Sequence, residues 1–252
     1  MLLLSDEEVE RYRTDGFLLV DRPLVPPGAL EELRVLLDRL FDRFDRLPPG
    51  YAKDLAAGAR AGDQPRIPEI NSATRLSPRL LRSEAVAVGT SIAQQLHGPE
   101  AQLVFDHAIY KPPFNEAATH WHQDAAYAKP DELSVGMWLP LQDVNADGGC
   151  MRFVPGSHLG GLVEHAHLNS ESNSDLLGAR VDEAEVVSCP VSAGGLVLHN
   201  VYTVHSTGPN RSGAMRRVWV LNFGVAGHAG ARRTNGPKAW RSAIGRYRLL
   251  HR

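Results

Sequence analysis

The stretch His120-Trp121-His122-Gln123-Asp124 decides how the rest of the chain is read. As a β-strand its successive side chains face opposite ways, so His122 and Asp124 project from one face while Gln123 points away. An imidazole and a carboxylate on one face are two ligands of the two-His-one-carboxylate set, which grips a metal from one side and leaves adjacent positions open. A second imidazole must then come from elsewhere in the chain.

His205 is best placed to supply it, in His205-Ser206-Thr207-Gly208-Pro209-Asn210. Gly208-Pro209-Asn210 is turn chemistry, so the chain doubles back and returns as a strand through Met215-Arg216-Arg217-Val218-Trp219-Val220, with Arg216 beside His205. Arg216 shares a face with Val218 and Val220, and a guanidinium aimed among apolar residues needs a carboxylate partner. Two rival ligands exist by spacing: His120 shares a face with His122, and His199 shares one with His205 if a single strand runs through 195–205. Neither has the Asp or the Pro-Asn-Arg context. His158, in a Pro-Gly-Ser-His turn, reads as structural, Trp138 as packing near the pocket, and Arg217 as facing solvent or outer helices.

The surrounding pattern is mainly β with flanking α-helices. Ser5-Asp6-Glu7-Glu8 has capping-box form and opens a helix that Asp15-Gly16 closes, followed by a strand at Phe17-Leu18-Leu19-Val20. Leu30, Leu33, Leu37, Leu40, Phe41 and Phe44 recur at helical spacing, and another helix is expected from Pro78 to about Leu96. Residues 48 to 71 read as a long loop and 159 to 180 as a second one, both of a length that suits lids. Beyond residue 100 short runs punctuated by Gly, Pro, Asn and Asp predict strands near 101–111, 119–125, 133–142, 150–154, 184–189, 195–205 and 215–225, with a turn at 145–149. The expected organisation is one domain over 1–252: a helical part over 1–100, a β core over about 101–225 and a basic tail over 226–252.

Composition excludes more than it assigns. With 43% hydrophobic residues, 22% charged and a net charge of -2, the chain has an ordinary globular balance, and neither a nucleic-acid nor a membrane partner is expected. Two cysteines and the start MLLLSDEEVERYR, which lacks a basic n-region and a long apolar run, fit a cytoplasmic location. Glu185 is the last acidic residue. The basic half after it is read either as a barrel edge balanced by the acidic N-terminal half, or as a docking face for an anionic or carrier-bound substrate.

On His122-Gln123-Asp124, on Trp138 with the Gly148-Gly149-Cys150 to Val154-Pro155-Gly156-Ser157-His158 hairpin, and on His205 through Pro209-Asn210 to Arg216, the sequence resembles the phytanoyl-CoA dioxygenase family. That is a family of iron(II)- and 2-oxoglutarate-dependent oxygenases. The resemblance implies a double-stranded β-helix, a cupin-like jelly roll, with His122, Asp124 and His205 on iron. It further implies that Arg216 pairs with the distal carboxylate of 2-oxoglutarate, that Thr207 helps hold it, and that Tyr110 and Lys111 line the cosubstrate pocket. The expected activity, with O2 as the second cosubstrate, is oxidation of an aliphatic C–H bond of a small metabolite, with release of succinate and CO2. Hydroxylation is its simplest form. A zinc hydrolase using the same three ligands leaves Arg216 without a role, and a non-catalytic jelly-roll binding protein leaves the whole set without one.

Overall fold

The computed structural model describes residues 2–56, 66–127, 134–167, 177–182 and 185–225. The basic tail expected over 226–252 and the centres of both expected lids lie outside them. Four α-helices, α1 (Asp6–Asp15), α2 (Pro27–Phe41), α3 (Ala73–Leu76) and α4 (Glu84–His97), flank thirteen strands. In chain order these are β1 (Phe17–Val20), β2 (Ala52–Asp54), β3 (Pro68–Asn71), β4 (Ala101–Lys111), β5 (Thr119–His122), β6 (Val135–Pro140), β7 (Met151–Phe153), β8 (Ala166–His167), β9 (Leu177–Gly178), β10 (Val187–Cys189), β11 (Leu196–Asn200), β12 (His205–Thr207) and β13 (Arg216–Val225). A seven-stranded sheet in the order β1-β11-β6-β13-β4-β3-β2 faces a four-stranded sheet in the order β10-β7-β12-β5, a jelly roll.

Local chemistry sets the helix ends as expected. Ser5 and Glu8 close a capping box at α1, and Gly16, at φ 81°, donates its N–H to Tyr12 O. The helix predicted from Pro78 is interrupted at Ser83: a 3-10 turn over Pro78–Arg82 precedes α4, which Ser83 caps. Part of the stretch read as a loop over 48–71 pairs instead, with β2 and β3 extending the large sheet beyond β4.

Alternation along the strands sorts two apolar clusters. Leu198, Met137, Leu139, Trp219, Leu221, Ala108 and Tyr110 face outward and merge with the helices through Leu30, Leu33, Leu37, Ile92 and others. Val197, Trp138, Val218, Val220 and Ile109 face inward and meet Met151, Phe153 and Phe17 between the sheets. The space for chemistry lies on this inner side.

One prediction fails in an informative way. The strand expected over 195–205 is two strands in two sheets: β11 pairs β1 and β6, whereas β12 pairs β5 and β7. Asn200 breaks the run, its Oδ1 accepting from Tyr202 N at 2.9 Å and its carbonyl from Thr203 N at 2.8 Å. Arg216 is likewise not beside His205. The 208–215 segment crosses between the sheets, so β13 pairs β4 and β6, and Arg216 reaches the site from the opposite wall.

Candidate metal and cosubstrate site

His122 and His205 are register partners across β5 and β12, which sets their rings 4.3 Å apart at the centroids. β5 ends at His122; Gln123 remains extended and Asp124 opens a 3-10 turn, so the carboxylate is turned back towards the two rings. Gln123 points away as expected and locks that turn, donating to Gly161 O and Tyr202 O and accepting from Val163 N. Asp124 Oδ1 lies 3.6 Å from His122 Nε2 and 3.7 Å from His205 Nε2, and one ligand atom from each residue lies within 4.8 Å of the others.

The tautomers follow from the acceptors. His122 Nδ1 donates to His120 O at 2.7 Å and His205 Nδ1 to Thr203 O at 2.9 Å, and a carbonyl can only accept. Both Nε2 lone pairs therefore face the gap, as metal ligation requires. Burial, then the neighbouring His122, pushes His205 well below the usual histidine range, which keeps it neutral. Burial alone would raise the Asp124 carboxyl, but the surrounding histidines, His205 foremost, hold it well below the usual carboxylate range. Of the rival ligands, His120 is exposed and contributes its carbonyl, whereas buried His199 binds the far side of Asp124, Nε2 to Oδ2 at 3.1 Å. His199 Nδ1 is buried without a partner.

Facing the triad from β13 and β4, Arg216 and Lys111 are register partners. Both are buried basic side chains, 3% and 0% exposed, and no carboxylate among the described residues pairs with either. Arg216 donates Nη1 to Gly149 O at 2.9 Å and lies 5.7 Å over the Trp138 ring, while its Nε is buried without a partner. Lys111 Nζ donates to Thr207 Oγ1 at 2.9 Å and to Gly208 O at 2.7 Å, and Thr207 Oγ1 donates to Thr119 Oγ1 at 3.0 Å. Burial pushes Arg216 down to about 9; burial, then the Arg216 charge, holds Lys111 well below the usual lysine range. Two buried basic groups without a carboxylate partner in an apolar wall describe a socket for an anion, whose arrival favours their charged forms.

Tyr110 is a correction. It points outward, donating to Asp38 Oδ1 at 2.7 Å and stacking on Phe41 at 3.6 Å, because Lys111 beside it on the same strand points inward. Arg217 joins it on Asp38 at 2.9 Å, and His158 Nε2 binds Arg13 O at 3.0 Å. Sequence reasoning missed the hold of His199 on Asp124.

Residues 12–218 match the model of the phytanoyl-CoA dioxygenase (PhyH) family. The chain belongs to that family. Among solved PhyH-like structures, EvdO2 of Micromonospora carbonacea var. aurantiaca, complexed with 2-oxoglutarate, is 30% identical, with a TM-score of 0.72 over 88% of this chain and 91% of that one. The phytanoyl-CoA dioxygenase domain-containing protein 1 of Danio rerio is 23% identical over 88% of this chain and 91% of its own length. A probable alpha-ketoglutarate-dependent hypophosphite dioxygenase of Stutzerimonas stutzeri is 31% identical over 58% of this chain and 52% of its own. As a PhyH protein the chain is a non-haem iron, 2-oxoglutarate-dependent oxygenase, using iron(II), 2-oxoglutarate and O2. None of its described helices is long and apolar enough to cross a membrane.

Proposed function

We propose that the protein oxidises an aliphatic C–H bond of a small-molecule metabolite, hydroxylation being the simplest outcome, with His122, Asp124 and His205 holding iron(II). Arg216, Lys111 and Thr207 receive 2-oxoglutarate. The observation that carries this reading is the pair of buried basic side chains, Arg216 and Lys111, without a carboxylate partner among the described residues, set across the barrel from the three candidate ligands. A five-carbon dicarboxylate meets both demands at once: its 2-oxo-acid end chelates, and its distal carboxylate neutralises the guanidinium bidentately. A zinc hydrolase would use the triad and leave the cations stranded.

Each residue then has a physical task. The imidazoles bind through Nε2 because their Nδ1 protons are committed to carbonyls, and Asp124 supplies the negative charge that offsets the metal. Iron bound here couples oxygen reduction to decarboxylation of 2-oxoglutarate, yielding succinate, CO2 and the oxidising power for the C–H bond. Arg216 fixes the far end of the cosubstrate, Lys111 and Thr207 close the side of its socket, and Trp138 shields the guanidinium from water.

Anaerobic addition of 2-oxoglutarate to the iron(II) protein is expected to produce a weak visible charge-transfer band. A colourless mixture, or equal binding of 2-oxoglutarate without metal, would overturn the reading.

A further inference from the structure

The large sheet is lined differently at its two ends. Arg216 and Lys111 mark one end of its inner face. Three inward-facing rows further along, Phe17, His199, Gly136, Asn222 and Phe105 lie side by side, and the row before them includes Val220, His107 and Asn71. His199 ties this far row to the metal site through Asp124. A Cβ at Gly136 would collide with the His199 ring, so the ring lies over Gly136 and within about one strand spacing, ~4.8 Å, of Asn222. Asn222 is therefore close to the metal-facing space, on the side away from the cosubstrate socket.

Several polar atoms here have unused capacity. Asn222 is 6% exposed, yet its amide makes no hydrogen bond among the described residues. Asn71 Oδ1 is buried without a partner, while its Nδ2 donates one of its two N–H groups to Glu69 at 3.3 Å. His107 Nδ1 is hydrogen-bonded to Glu69, which leaves Nε2 for a further partner, and the ring lies 5.4 Å from that of Phe105. Glu69 is buried and also salt-bridged to Lys53 at 3.0 Å, so this end of the wall pairs its charges internally.

We infer that Asn222, His107 and Asn71, with Phe105 as an apolar floor, form the subsite for the reacting part of the substrate. That part presents neutral hydroxyl or amide N–H donors rather than an anionic group. Asn71 Oδ1 is a buried acceptor without a donor, the Asn222 amide offers both roles, and the nearest full charges are already paired. The word substrate rests on the oxygenase reading; the recognition chemistry rests on the wall itself.

The test uses the full chain loaded with zinc(II) as a diamagnetic stand-in, saturated with 2-oxoglutarate and labelled with 15N. The probes are cis-1,2-cyclohexanediol and cis-2-hydroxycyclohexanecarboxylate, the same ring with one hydroxyl exchanged for a carboxylate. The diol is expected to shift the Asn222 side-chain amide and the His107 imidazole resonances saturably, and the hydroxy acid to bind about tenfold more weakly. Asn222→Leu and His107→Phe should each weaken the diol about tenfold while leaving 2-oxoglutarate affinity within about twofold. Absence of a saturable shift, undiminished binding in both variants, or tighter binding of the hydroxy acid would overturn the proposal. Failure of the oxygenase reading would show separately, as a missing iron(II)–2-oxoglutarate band.

Discussion

His199 holds one oxygen of Asp124 while the other faces His122 and His205: Nε2 to Oδ2 is 3.1 Å, and Oδ1 lies 3.6 and 3.7 Å from His122 and His205 Nε2. A carboxylate engaged in this way binds a metal through a single oxygen, which preserves the open positions the cosubstrates need. His199→Phe is expected to weaken iron(II) binding on the order of 10–100-fold, and His199→Gln, which keeps a donor, to recover part of the loss. The d–d spectrum of the cobalt(II) protein should change in the Phe variant, because it reports coordination number. An unaltered affinity and spectrum would leave His199 with a packing role alone.

His122→Ala or His205→Ala should abolish iron(II) binding and turnover with little change in thermal unfolding, since the helix-backed apolar cluster that stabilises the sheet contains neither residue. His120→Ala is the control, because what His120 gives His122 is a backbone carbonyl that survives the substitution. Calorimetric iron titration beside a melting curve decides this; iron binding retained in either ligand variant would remove that residue from the set.

Arg216→Ala should raise the dissociation constant for 2-oxoglutarate by roughly thirtyfold or more, because truncating one side of a buried charge pair costs on the order of 2–5 kcal/mol. Arg216→Lys should recover little, since an ammonium cannot reproduce the bidentate fork over Trp138. Iron affinity without cosubstrate should stay constant.

Binding of 2-oxoglutarate should take up protons. In the free protein burial, then the Arg216 charge, holds Lys111 well below the usual lysine range, and a carboxylate docked beside it raises that value. The complex therefore carries the extra proton, so affinity is full below the free-protein pKa and declines as pH rises through the pKa of the complex. Calorimetry in two buffers of different ionisation enthalpy measures the uptake. Lys111→Met should abolish it, and a wild-type protein showing no uptake would refute the assignment.

The triad was legible because a His-x-Asp run needs only local geometry, and the Pro-Asn-Arg context singled out His205. Where the surrounding strands run was less legible. Val201-Tyr202-Thr203-Val204 has the composition of a strand, and a turn at Asn200, closed by its side chain on Tyr202 N and its carbonyl on Thr203 N, takes the chain into the other sheet. The crossover to Arg216 depends on Asn210, whose amide spans Lys111 O, Pro112 O and Ala214 O; contacts between distant segments leave no periodic trace. Tyr110 was avoidable: neighbours on one strand cannot both face one pocket. The wall of Asn222, His107 and Asn71 draws on three strands, and pairing register is what sequence patterns specify least.

The parity of the large sheet has an evolutionary consequence. Alternate residues of β4, β6, β11 and β13 belong to two clusters, one anchored to helices and one facing the space between the sheets. On the proposed subsite, drift at positions such as 105, 107 and 222 would retune what is oxidised, while their outward-facing neighbours at 108, 219 and 221 stay under a separate selection for staying folded. One ribbon of backbone thus lets a lineage explore new chemistry without staking its survival on each trial.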